Sequence, residues 1–578
     1  MTKTRYTTSQ YETMSNPPTA TLIPPPPKTR IIMPEAHQKI LFIASEDEEN
    51  LSVRYPAASL VQAGHAIGIA PFSAPADTPG VLAQIQMFKP DLIAVSMAFQ
   101  SRAPAFFELI RTIRESGYTG HLSTGGHFPT FEFRKILETQ PGIDSVVRFE
   151  GEQALVELAE HLGGKREIAA VANLVYRDGD TIRENPCIDR FPDLDILPFP
   201  VRNDRPQVRL GENFATLVAS RGCWHSSCTY CCIGAFHAGK TGKRHALRSV
   251  ENIAQEIAWL YHKQGVRLFQ FHDDNFLQAQ EADNIARLDE LVAALGKEEV
   301  DLEKTAFLIK ARPDSITEAV AARLDRLGVA GVFLGVENAS ATGLKALIRG
   351  SKVDHIDRSF ALLRRYNMVV TYNLLIFHPD ATFDEINENI LFMKKHPEYP
   401  FDFGRAEIVA GSPLERQVTD GGLLQGSWPN WDYRIRDPDV DRLFRISLAT
   451  FRRPDAGYSI LAHSMIALAY GAYTVHRLWP GPAAENVLTD THALIAESNA
   501  FVLDHIFRMY ALAAQPDPGE GIDQLAGSLR DGCSRLNARA ASLTQRMNRL
   551  QVAEKKFRNA GVPGALQHSP LLRGIFRV

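Results

Sequence analysis

The 578-residue sequence predicts an α/β protein with a mainly α-helical C-terminal region. Short apolar runs alternate with amphipathic segments from residue 38 to residue 163, and the same alternation resumes from residue 215 to residue 414. This alternation is typical of parallel sheets that are covered by helices. From residue 415 to residue 578 the strand signal fades, and Leu, Ala and Ile recur at helical spacing, which indicates packed helices.

The N-terminal segment, residues 1–37, is rich in Thr, Ser and Pro and includes four consecutive prolines from Pro24 to Pro27. Such a composition cannot bury enough apolar surface to order the chain, so we expect a disordered tail. The segment lacks the apolar core of a secretory signal, which predicts a cytoplasmic protein.

Composition argues against two classes of partner. No apolar run approaches the roughly 18 residues of a membrane-spanning helix, so we expect no membrane contact. The 63 Lys and Arg residues nearly balance the 67 Asp and Glu residues, for a net charge of −4. This balance argues against a nucleic-acid binder that works by bulk positive charge.

The first α/β region, residues 38–163, contains five strand–helix units at short spacing, which predict a doubly wound, Rossmann-like parallel sheet. The predicted strands are Ile40–Ala44, Ala66–Phe72, Leu92–Ala98, Leu122–Thr124 and Val146–Phe149. Ligands of such sheets bind at the carboxyl ends of the strands. Polar residues and glycines cluster at those ends, namely Ser96, Gly125, Gly126, Glu150, Gly151 and Glu152. The alternative is that the glycines only permit tight turns.

A connector, residues 164–214, follows with a predicted hairpin and a proline-rich stretch. The second α/β region, residues 215–414, then contains six strand–helix units. They predict a partial (β/α)6 barrel of the TIM type, with its chemistry on the loops after the strands. The predicted strands are Thr216–Ala219, Arg267–Phe271, Ala306–Ile309, Gly331–Val336, Val369–Phe377 and Arg405–Ala410.

The six cysteines are too few for a disulfide scaffold. Four of them fall within ten residues, directly after the first strand of the second region: Cys223, Cys228, Cys231 and Cys232. Such clustering suggests a metal site in a reducing compartment. Three thiolates in a short loop can hold three irons of a 4Fe–4S cluster and leave the fourth iron open for a ligand. Zinc, with help from His225 or His237, and a set of inert buried thiols are the alternatives.

The segment from Ser220 to Cys232 resembles the signature of the radical S-adenosylmethionine superfamily, in which three cysteines bind the cluster on the loop after the first barrel strand. The usual spacing is C-x3-C-x2-C, with an aromatic residue before the third cysteine. This chain has one more residue in the first gap, and Tyr230 is the aromatic residue. The resemblance implies that Cys223, Cys228 and Cys231 bind iron, with Cys232 as the alternative third ligand.

The later strand ends also resemble this superfamily. The resemblance implies contacts to S-adenosylmethionine from Asp273 and Asp274 after the second strand, Arg312 after the third and Glu337 after the fourth. Acidic side chains suit the amino group of the cofactor, and an arginine suits its carboxylate. The alternatives are that the aspartates cap the next helix and that Glu337 is a solvated carboxylate. The fifth strand departs from the pattern, because residues 375–382 lack the glycine-rich turn of many relatives.

Residues 38–163 are similar to the cobalamin-binding domain that one branch of the superfamily carries. Residues 125–130 are similar to its Gly-Gly-x-x-Pro-Thr segment, and residues 149–152 to its Gly-Glu turn. The resemblance implies cobalamin contacts from the six strand-end residues named above. Residues 45–50 contain no histidine where methionine synthase-type domains supply an axial one, so we expect cobalamin without a histidine on its lower face. A ligand-free domain is the alternative.

Together these parts imply an enzyme that reductively cleaves S-adenosylmethionine to a 5′-deoxyadenosyl radical. With cobalamin as methyl carrier, the radical reaction would methylate an unactivated carbon of a small-molecule or peptide natural product. A flavodoxin- or ferredoxin-type protein would supply electrons. A radical ring closure, ring contraction or rearrangement is the second hypothesis, and a non-catalytic cobalamin or iron–sulfur regulator is the third. No catalytic acid or base is assigned. Trp428, Trp431 and Tyr433 are interpreted as helping to enclose the substrate or as core residues.

Overall fold

The computed structural model describes residues 38–188, 193–241 and 244–559. The predicted tail, residues 1–37, and the end of the predicted helical region, residues 560–578, lie outside the described residues. The described part contains two seven-stranded sheets and a C-terminal group of packed helices. This arrangement confirms the predicted α/β fold with a helical C-terminal region.

The first sheet has the strand order β2-β1-β3-β4-β5-β6-β7, in which β1 to β5 are parallel and β6 and β7 form an antiparallel hairpin at one edge. Its strands are β1 (Lys39–Ala44), β2 (Ala66–Pro71), β3 (Leu92–Ser96), β4 (His121–Gly125), β5 (Ser145–Val147), β6 (Leu174–Asp178) and β7 (Thr181–Glu184). Its helices are α1 (Leu51–Gln62), α2 (Thr78–Phe88), α3 (Ala103–Glu115), α4 (His127–Thr139) and α5 (Glu152–Leu162).

Strand β1 shows why this sheet is doubly wound. Its side chains alternate between two separate hydrophobic cores, with Leu41 and Ile43 in one core and Ile40 and Phe42 in the other. Alternate residues of a strand point to opposite faces, so both faces of this sheet are covered. The strand order reverses at β1, which places a ligand-binding crevice at its carboxyl end. The hairpin in the segment predicted as a connector extends this sheet.

The second sheet has the order β16-β15-β14-β13-β12-β9-β8, with six parallel strands in sequence order and β8 antiparallel at the edge. Its strands, with the small β10–β11 pair, are β8 (Gln207–Arg209), β9 (Glu212–Leu217), β10 (Ser220–Gly222), β11 (His245–Leu247), β12 (Val266–Phe271), β13 (Ala306–Ala311), β14 (Val329–Glu337), β15 (Val369–Phe377) and β16 (Phe401–Arg405). The helices of this region are α6 (Ile233–Thr241), α7 (Val250–Lys263), α8 (Glu281–Lys297), α9 (Glu318–Leu327), α10 (Ala341–Ala346), α11 (Val353–Arg365), α12 (Phe383–Lys395) and α13 (Pro413–Asp420).

These six parallel strands form the predicted partial barrel, although the sixth strand differs from its prediction. The strand runs over Phe401–Arg405 and not over Arg405–Ala410. Phe401, Phe403 and Arg405 are buried on one face, as expected of a strand. Ala410, by contrast, is buried in a core of the first sheet, and its backbone N donates to Gln100 Oε1 at 3.2 Å. The apolar run after the strand therefore makes no ladder: Ala406 and Ile408 lie in the barrel core, whereas Ala410 packs against the first region.

The C-terminal region begins with a hairpin that the sequence analysis did not predict, and continues as four packed helices. These elements are β17 (Leu424–Ser427), β18 (Asn430–Tyr433), α14 (Pro438–Thr450), α15 (Tyr458–Leu478), α16 (Pro482–Ala513) and α17 (Gly519–Asn559). Helix α15 lies against the barrel, where Tyr470 Oη and Thr371 Oγ1 are 2.6 Å apart. Within the described residues, no helix is both long enough and apolar enough to cross a membrane.

The aromatic residues of the hairpin pack within the protein. Trp428 stacks on Phe107 of α3 at 5.6 Å between ring centres, and its Nε1 donates to Glu132 at 2.8 Å. Tyr433 is fully buried and donates from its hydroxyl to Ala406 O at 2.7 Å. Trp431 packs against both the barrel core and a core of the first sheet. The hairpin therefore joins the two sheets, in accord with the core interpretation of these residues.

Candidate active site

The four clustered cysteines lie on a loop that follows β9 and β10 and ends at α6. The loop is closed at its base, because β10 pairs with β11 and Cys223 N donates to Arg244 O at 2.8 Å. Gly222 has a φ of +83°, and a Cβ there would lie 2.2 Å from Arg244 O. A side chain at Gly222 would therefore force the loop away from β11.

A short segment after α10, residues 347–350, braces this loop. Thr229 N donates to Leu347 O at 3.1 Å, and His225 Nε2 lies 2.8 Å from Ile348 O. Arg349 Nη1 lies 3.5 Å from Cys228 Sγ. Three consecutive residues of one segment thus contact three different positions of the cysteine loop.

The thiols differ in their surroundings. Cys228 and Cys232 are buried, whereas Cys223 and Cys231 are half-buried. Burial raises the pKa of Cys223. Burial also acts to raise the pKa of Cys228, but hydrogen bonds from His225 and Arg349 and the charge of Arg349 outweigh it and lower that pKa to about 7. Of these two thiols, Cys228 is therefore the one whose surroundings favour the thiolate form that binds metal.

The third ligand position has two candidates. Burial raises the pKa of Cys231 well above its usual range, and the charges of Cys232, Asp274 and Cys228 add to this effect. Burial and Asp274 raise the pKa of Cys232 to about 12. Cys231 N donates to Cys228 O at 3.2 Å, so these two residues share one turn of the loop, and the choice of Cys231 as the third ligand stays a prediction. Across residues 38–188, 193–241 and 244–559, no three His, Cys, Asp or Glu side chains converge on one point as a single zinc ion requires. A 4Fe–4S cluster does not require its ligands to converge on one point, since each thiolate can bind a different iron.

Asp273 and Asp274 follow the second barrel strand, β12, but have different environments. Asp273 is 1% exposed, and its two oxygens accept from Ala219 N at 3.2 and 3.0 Å and from Ser220 Oγ. Burial raises the pKa of Asp273 to about 6, although these hydrogen bonds oppose the rise. Asp274 is exposed and accepts from Gly222 N at 3.2 Å. Asp273 therefore anchors the chain that leads into the cysteine loop, and Asp274 is the carboxylate that a ligand can reach.

Arg312, at the end of β13, has one free donor. Its Nε and Nη2 lie 3.0 and 2.9 Å from the two carboxylate oxygens of Asp314, and Nη2 also donates to Arg349 O at 2.7 Å. Its Nη1 is buried without a hydrogen-bond partner, and its guanidinium lies 4.8 Å from the centre of the Trp224 ring. Leaving a buried donor unpaired costs about 1–3 kcal/mol, so this atom fits an anionic group of a bound ligand such as the carboxylate of S-adenosylmethionine.

Glu337, at the end of β14, adopts a φ of +64°, which is rare for a residue with a side chain. Burial raises the pKa of Glu337, while Arg349, Arg312 and a hydrogen bond from Tyr230 oppose the rise. A Cβ at Gly335 would lie 2.5 Å from Arg349 Nη2 and 3.3 Å from Glu337 Oε1, so this carboxyl group lies beside the guanidinium that contacts the cysteine loop. The structure therefore brings Asp274, Arg312 and Glu337 to the same end of the barrel as the cysteines.

Two of the three glycines that are predicted to contact cobalamin, Gly125 and Gly126, are also favoured by the packing of the chain itself. Gly126 has a φ of +111°, and a Cβ there would lie 2.8 Å from Met97 O. A Cβ at Gly125 would lie 3.2 Å from Val147 O, whereas one at Gly151 would make only ordinary contacts. Ser96 ends β3, and its Oγ lies 3.3 Å from Ser52 Oγ. These residues line the carboxyl edge of the first sheet, and their contact with cobalamin stays a prediction.

Glu150 and Glu152 face a partner that the sequence analysis did not identify. Arg221 Nη2 lies 2.6 Å from Glu152 Oε1, and its Nη1 lies 3.5 Å from Glu150 Oε1. The Arg221 guanidinium also lies 5.2 Å from the centre of the Tyr55 ring. Because Arg221 belongs to β10, directly before the cysteine loop, this ion-pair group joins that loop to the strand ends of the first sheet.

The acidic loop after β1, residues 45–50, provides a second junction. Glu48 Oε1 lies 2.6 Å from His272 Nε2, and Glu48 Oε2 lies 2.8 Å from Arg209 Nη2. Although burial acts to raise the pKa of Glu48, His272 and Arg209 lower it to about 2. Glu49 O accepts from Thr216 Oγ1 at 2.9 Å. The loop that lacks an axial histidine is thus held against the barrel by its acidic residues.

Replacing Glu48 with Gln should make stability less dependent on acidic pH. The folded-state pKa of about 2 lies below the usual value of 4.5, so the carboxylate stabilises the fold above about pH 4.5. This contribution, roughly 3 kcal/mol, is lost as the pH falls from 4.5 towards 2. Urea unfolding between pH 6 and pH 3 should show that the free energy of unfolding falls less steeply with pH in Glu48→Gln than in the wild type. The exposed Glu138→Gln serves as control, and equal slopes for all three proteins would refute the expectation.

Comparison with known proteins agrees with this geometry. The B12 binding domain family matches residues 40–159, and the Radical SAM superfamily matches residues 217–393, together about half of the chain. The fold and site thus define a protein with a B12-binding domain ahead of a radical S-adenosylmethionine domain. The chain belongs to the cobalamin-dependent radical S-adenosylmethionine enzymes. Its cofactors are cobalamin, a 4Fe–4S cluster and S-adenosylmethionine.

Two curated relatives and two solved structures are similar to this chain. An uncharacterised methyltransferase of Pyrococcus horikoshii is 25% identical over 423 residues, 71% of this chain and 87% of the relative. The anaerobic magnesium-protoporphyrin IX monomethyl ester cyclase of Synechocystis sp. is 30% identical over 259 residues, 42% of this chain and 47% of the cyclase. The radical enzyme OxsB with aqua-cobalamin has a TM-score of 0.63 at 16% identity, covering 91% of this chain and 82% of OxsB. The methyltransferase TsrM of Kitasatospora setae, with cobalamin and a 4Fe–4S cluster, has a TM-score of 0.54 at 16% identity, covering 67% and 75%.

Proposed function

We propose that this enzyme methylates an unactivated carbon of a small-molecule or peptide natural product. The observation that carries the proposal is the contact between the two strand-end edges. The His127 ring of α4 packs edge-on against Phe236 of α6 at 4.6 Å between ring centres. The Phe149 ring lies 5.6 Å from the Phe236 ring. A cobalamin on the first sheet would therefore face the cysteine loop, which is the arrangement that methyl transfer to a substrate radical needs.

The chain's own residues would bind, orient and shield the cofactors. Cys223, Cys228 and Cys231 would hold the cluster, and the free Nη1 of Arg312 would hold the carboxylate of S-adenosylmethionine. Asp274 would accept from the amino group of the same cofactor. When bound, these groups supply an organic radical and a transferable methyl group. Phe236 and Phe149 would keep water away from the region between the sheets.

The alternative function is a radical ring closure, ring contraction or rearrangement. It has a specific support in the cyclase relative, which is 30% identical over 259 residues. In that case cobalamin would not donate a methyl group, and the product would have an unchanged or dehydrogenated mass. Because both reactions use the same cofactors, only the mass of the product distinguishes the two proposals.

Anaerobic reconstitution tests the proposal. The full chain would be loaded with iron, sulfide, cobalamin and S-adenosylmethionine, reduced by a flavodoxin or ferredoxin system, and incubated with candidate metabolites from the gene neighbourhood. Formation of 5′-deoxyadenosine and S-adenosylhomocysteine, with a product heavier by one CH₂, is expected. Product without added mass would support the alternative reaction. Absence of both nucleoside products would support a non-catalytic binding protein.

A further inference from the structure

We propose that Arg349 raises the reduction potential of the 4Fe–4S cluster by donating a charged hydrogen bond to the thiolate of Cys228. This inference rests on the proposed function, because it takes Cys228 as an iron ligand. It concerns a residue outside the cysteine loop and outside the strand ends. Arg349 lies in the 347–350 segment after α10.

The position of the guanidinium is set by the barrel and not by the thiol. Arg349 is 6% exposed, and its Nη2 and Nε donate to Gly335 O at 2.6 and 3.3 Å. The remaining nitrogen, Nη1, lies 3.5 Å from Cys228 Sγ. A Cβ at Gly335 would lie 2.5 Å from Arg349 Nη2, so the glycine makes room for the guanidinium. The donor is thus fixed in place before any cluster is bound.

The charge on this donor is permanent. A guanidinium is not deprotonated in proteins, so Arg349 places a full positive charge beside Cys228 at every accessible pH. The other titratable groups around it are Glu337 and Tyr230, and burial raises the pKa of both, which favours their neutral forms. Cys223, by comparison, accepts hydrogen bonds from the uncharged backbone N–H groups of Ser226 and His225, although the charges of Arg312 and Arg349 also act to lower its pKa.

A cation beside one ligand favours the reduced cluster. Reduction adds one negative charge, and a buried positive charge stabilises that charge more strongly than water would. Hydrogen bonds to the sulfur ligands and local charge are the means by which a protein sets cluster potential. Reductive cleavage of S-adenosylmethionine needs a reduced cluster, so Arg349 would set how much of the enzyme an electron donor can reduce.

Redox titration of the full chain tests this role. Wild type, Arg349→Gln and Arg349→Lys would be reconstituted anaerobically with iron and sulfide. Each would then be titrated with a reductant, and electron paramagnetic resonance would measure the amount of reduced cluster. At the wild-type midpoint potential, the ratio of reduced to oxidised cluster should fall at least tenfold in Arg349→Gln, which is 59 mV for a one-electron couple. Arg349→Lys keeps the charge and should shift less. Iron and sulfide per chain should stay at the wild-type level.

Arg477→Gln is the matched control. Its guanidinium also donates to barrel carbonyls, those of Thr305 and Leu302, but these precede β13 and lie at the opposite end of the strands from the cysteine loop. Its potential should equal that of wild type. An unchanged potential in a fully loaded Arg349→Gln overturns the inference. If Arg349→Gln binds too little iron to titrate, Gly335→Ala is titrated instead, because its Cβ would displace the Arg349 guanidinium, and an unchanged potential in that variant overturns the inference. A wild-type chain that binds no cluster overturns the proposed function as well.

Discussion

Simultaneous replacement of Cys223, Cys228 and Cys231 by alanine is expected to abolish bound iron and sulfide and to reduce 5′-deoxyadenosine formation to background. The three thiols lie on one closed loop, and no nearby group of His, Cys, Asp or Glu side chains among the described residues offers another metal site. The triple variant leaves Cys232 as the one cysteine of the loop, and a single thiolate cannot hold a cluster. Iron and sulfide assays on the reconstituted protein, with chromatographic detection of the nucleoside, measure both effects.

Single variants locate the third ligand. Cys232→Ala should keep wild-type iron content, whereas Cys231→Ala should lose it. Cys187→Ala, a half-buried cysteine outside the loop, is the control for the loss of a thiol as such. Iron retained in Cys231→Ala and lost in Cys232→Ala would assign the third position to Cys232. Unchanged iron in the triple variant would refute the cluster assignment altogether.

Arg221→Gln is expected to destabilise the junction between the two sheets by about 3–5 kcal/mol, because it leaves two buried carboxylates without their cation. The side chains of Arg221 and Glu152 are 16% and 9% exposed, and the atoms that pair are 2.6 Å apart. Glu150 would lose the same partner. Differential scanning calorimetry of the full chain should show the lowest-temperature transition moving down.

Two further variants distinguish the effect of breaking the buried ion pair from the effect of losing a positive charge in general. Arg221→Met combined with Glu152→Leu should recover part of the lost stability, since only Glu150, and no longer Glu152 as well, is left without the Arg221 cation. Arg111→Gln removes an exposed arginine that pairs with Glu108 and Glu115, and it should cause no measurable change. If Arg221→Gln behaves like Arg111→Gln, the ion-pair group at the junction contributes nothing to stability.

The strand pattern was sufficient to predict the fold, and the cysteine spacing together with the family resemblance was sufficient to propose a place for the site. Asp274, Arg312 and Glu337 were named because their segments resemble those of the superfamily at the ends of the second, third and fourth strands, and parallel strands bring such positions to one edge. The sixth strand was misplaced because Ile408 and Ala410 are apolar for another reason, their burial in cores of two different sheets. Periodicity shows that a residue is buried but not which element covers it.

The partners of individual side chains could not be predicted in the same way. Asp273 looks like Asp274 in the sequence, yet its oxygens are occupied by the chain before the cysteine loop. Arg349 follows a short helix and carries no local signal, because its contacts to Gly335 and Cys228 cross long stretches of sequence. The sequence shows that Arg221 precedes the cysteine loop, but only the folded arrangement shows that it pairs with Glu150 and Glu152 of the first α/β region.

The hairpin that stacks on α3 bears on the order in which the protein is made. Part of the first sheet's core is supplied by Ala410, Trp428 and Trp431, which follow the last strand of that sheet, β7, by more than two hundred residues. At about 5–20 residues per second, a ribosome needs at least ten seconds or so to deliver them. During that interval Phe107 lacks its aromatic partner. The nascent N-terminal domain therefore emerges with an apolar surface that a chaperone can recognise until translation reaches the hairpin.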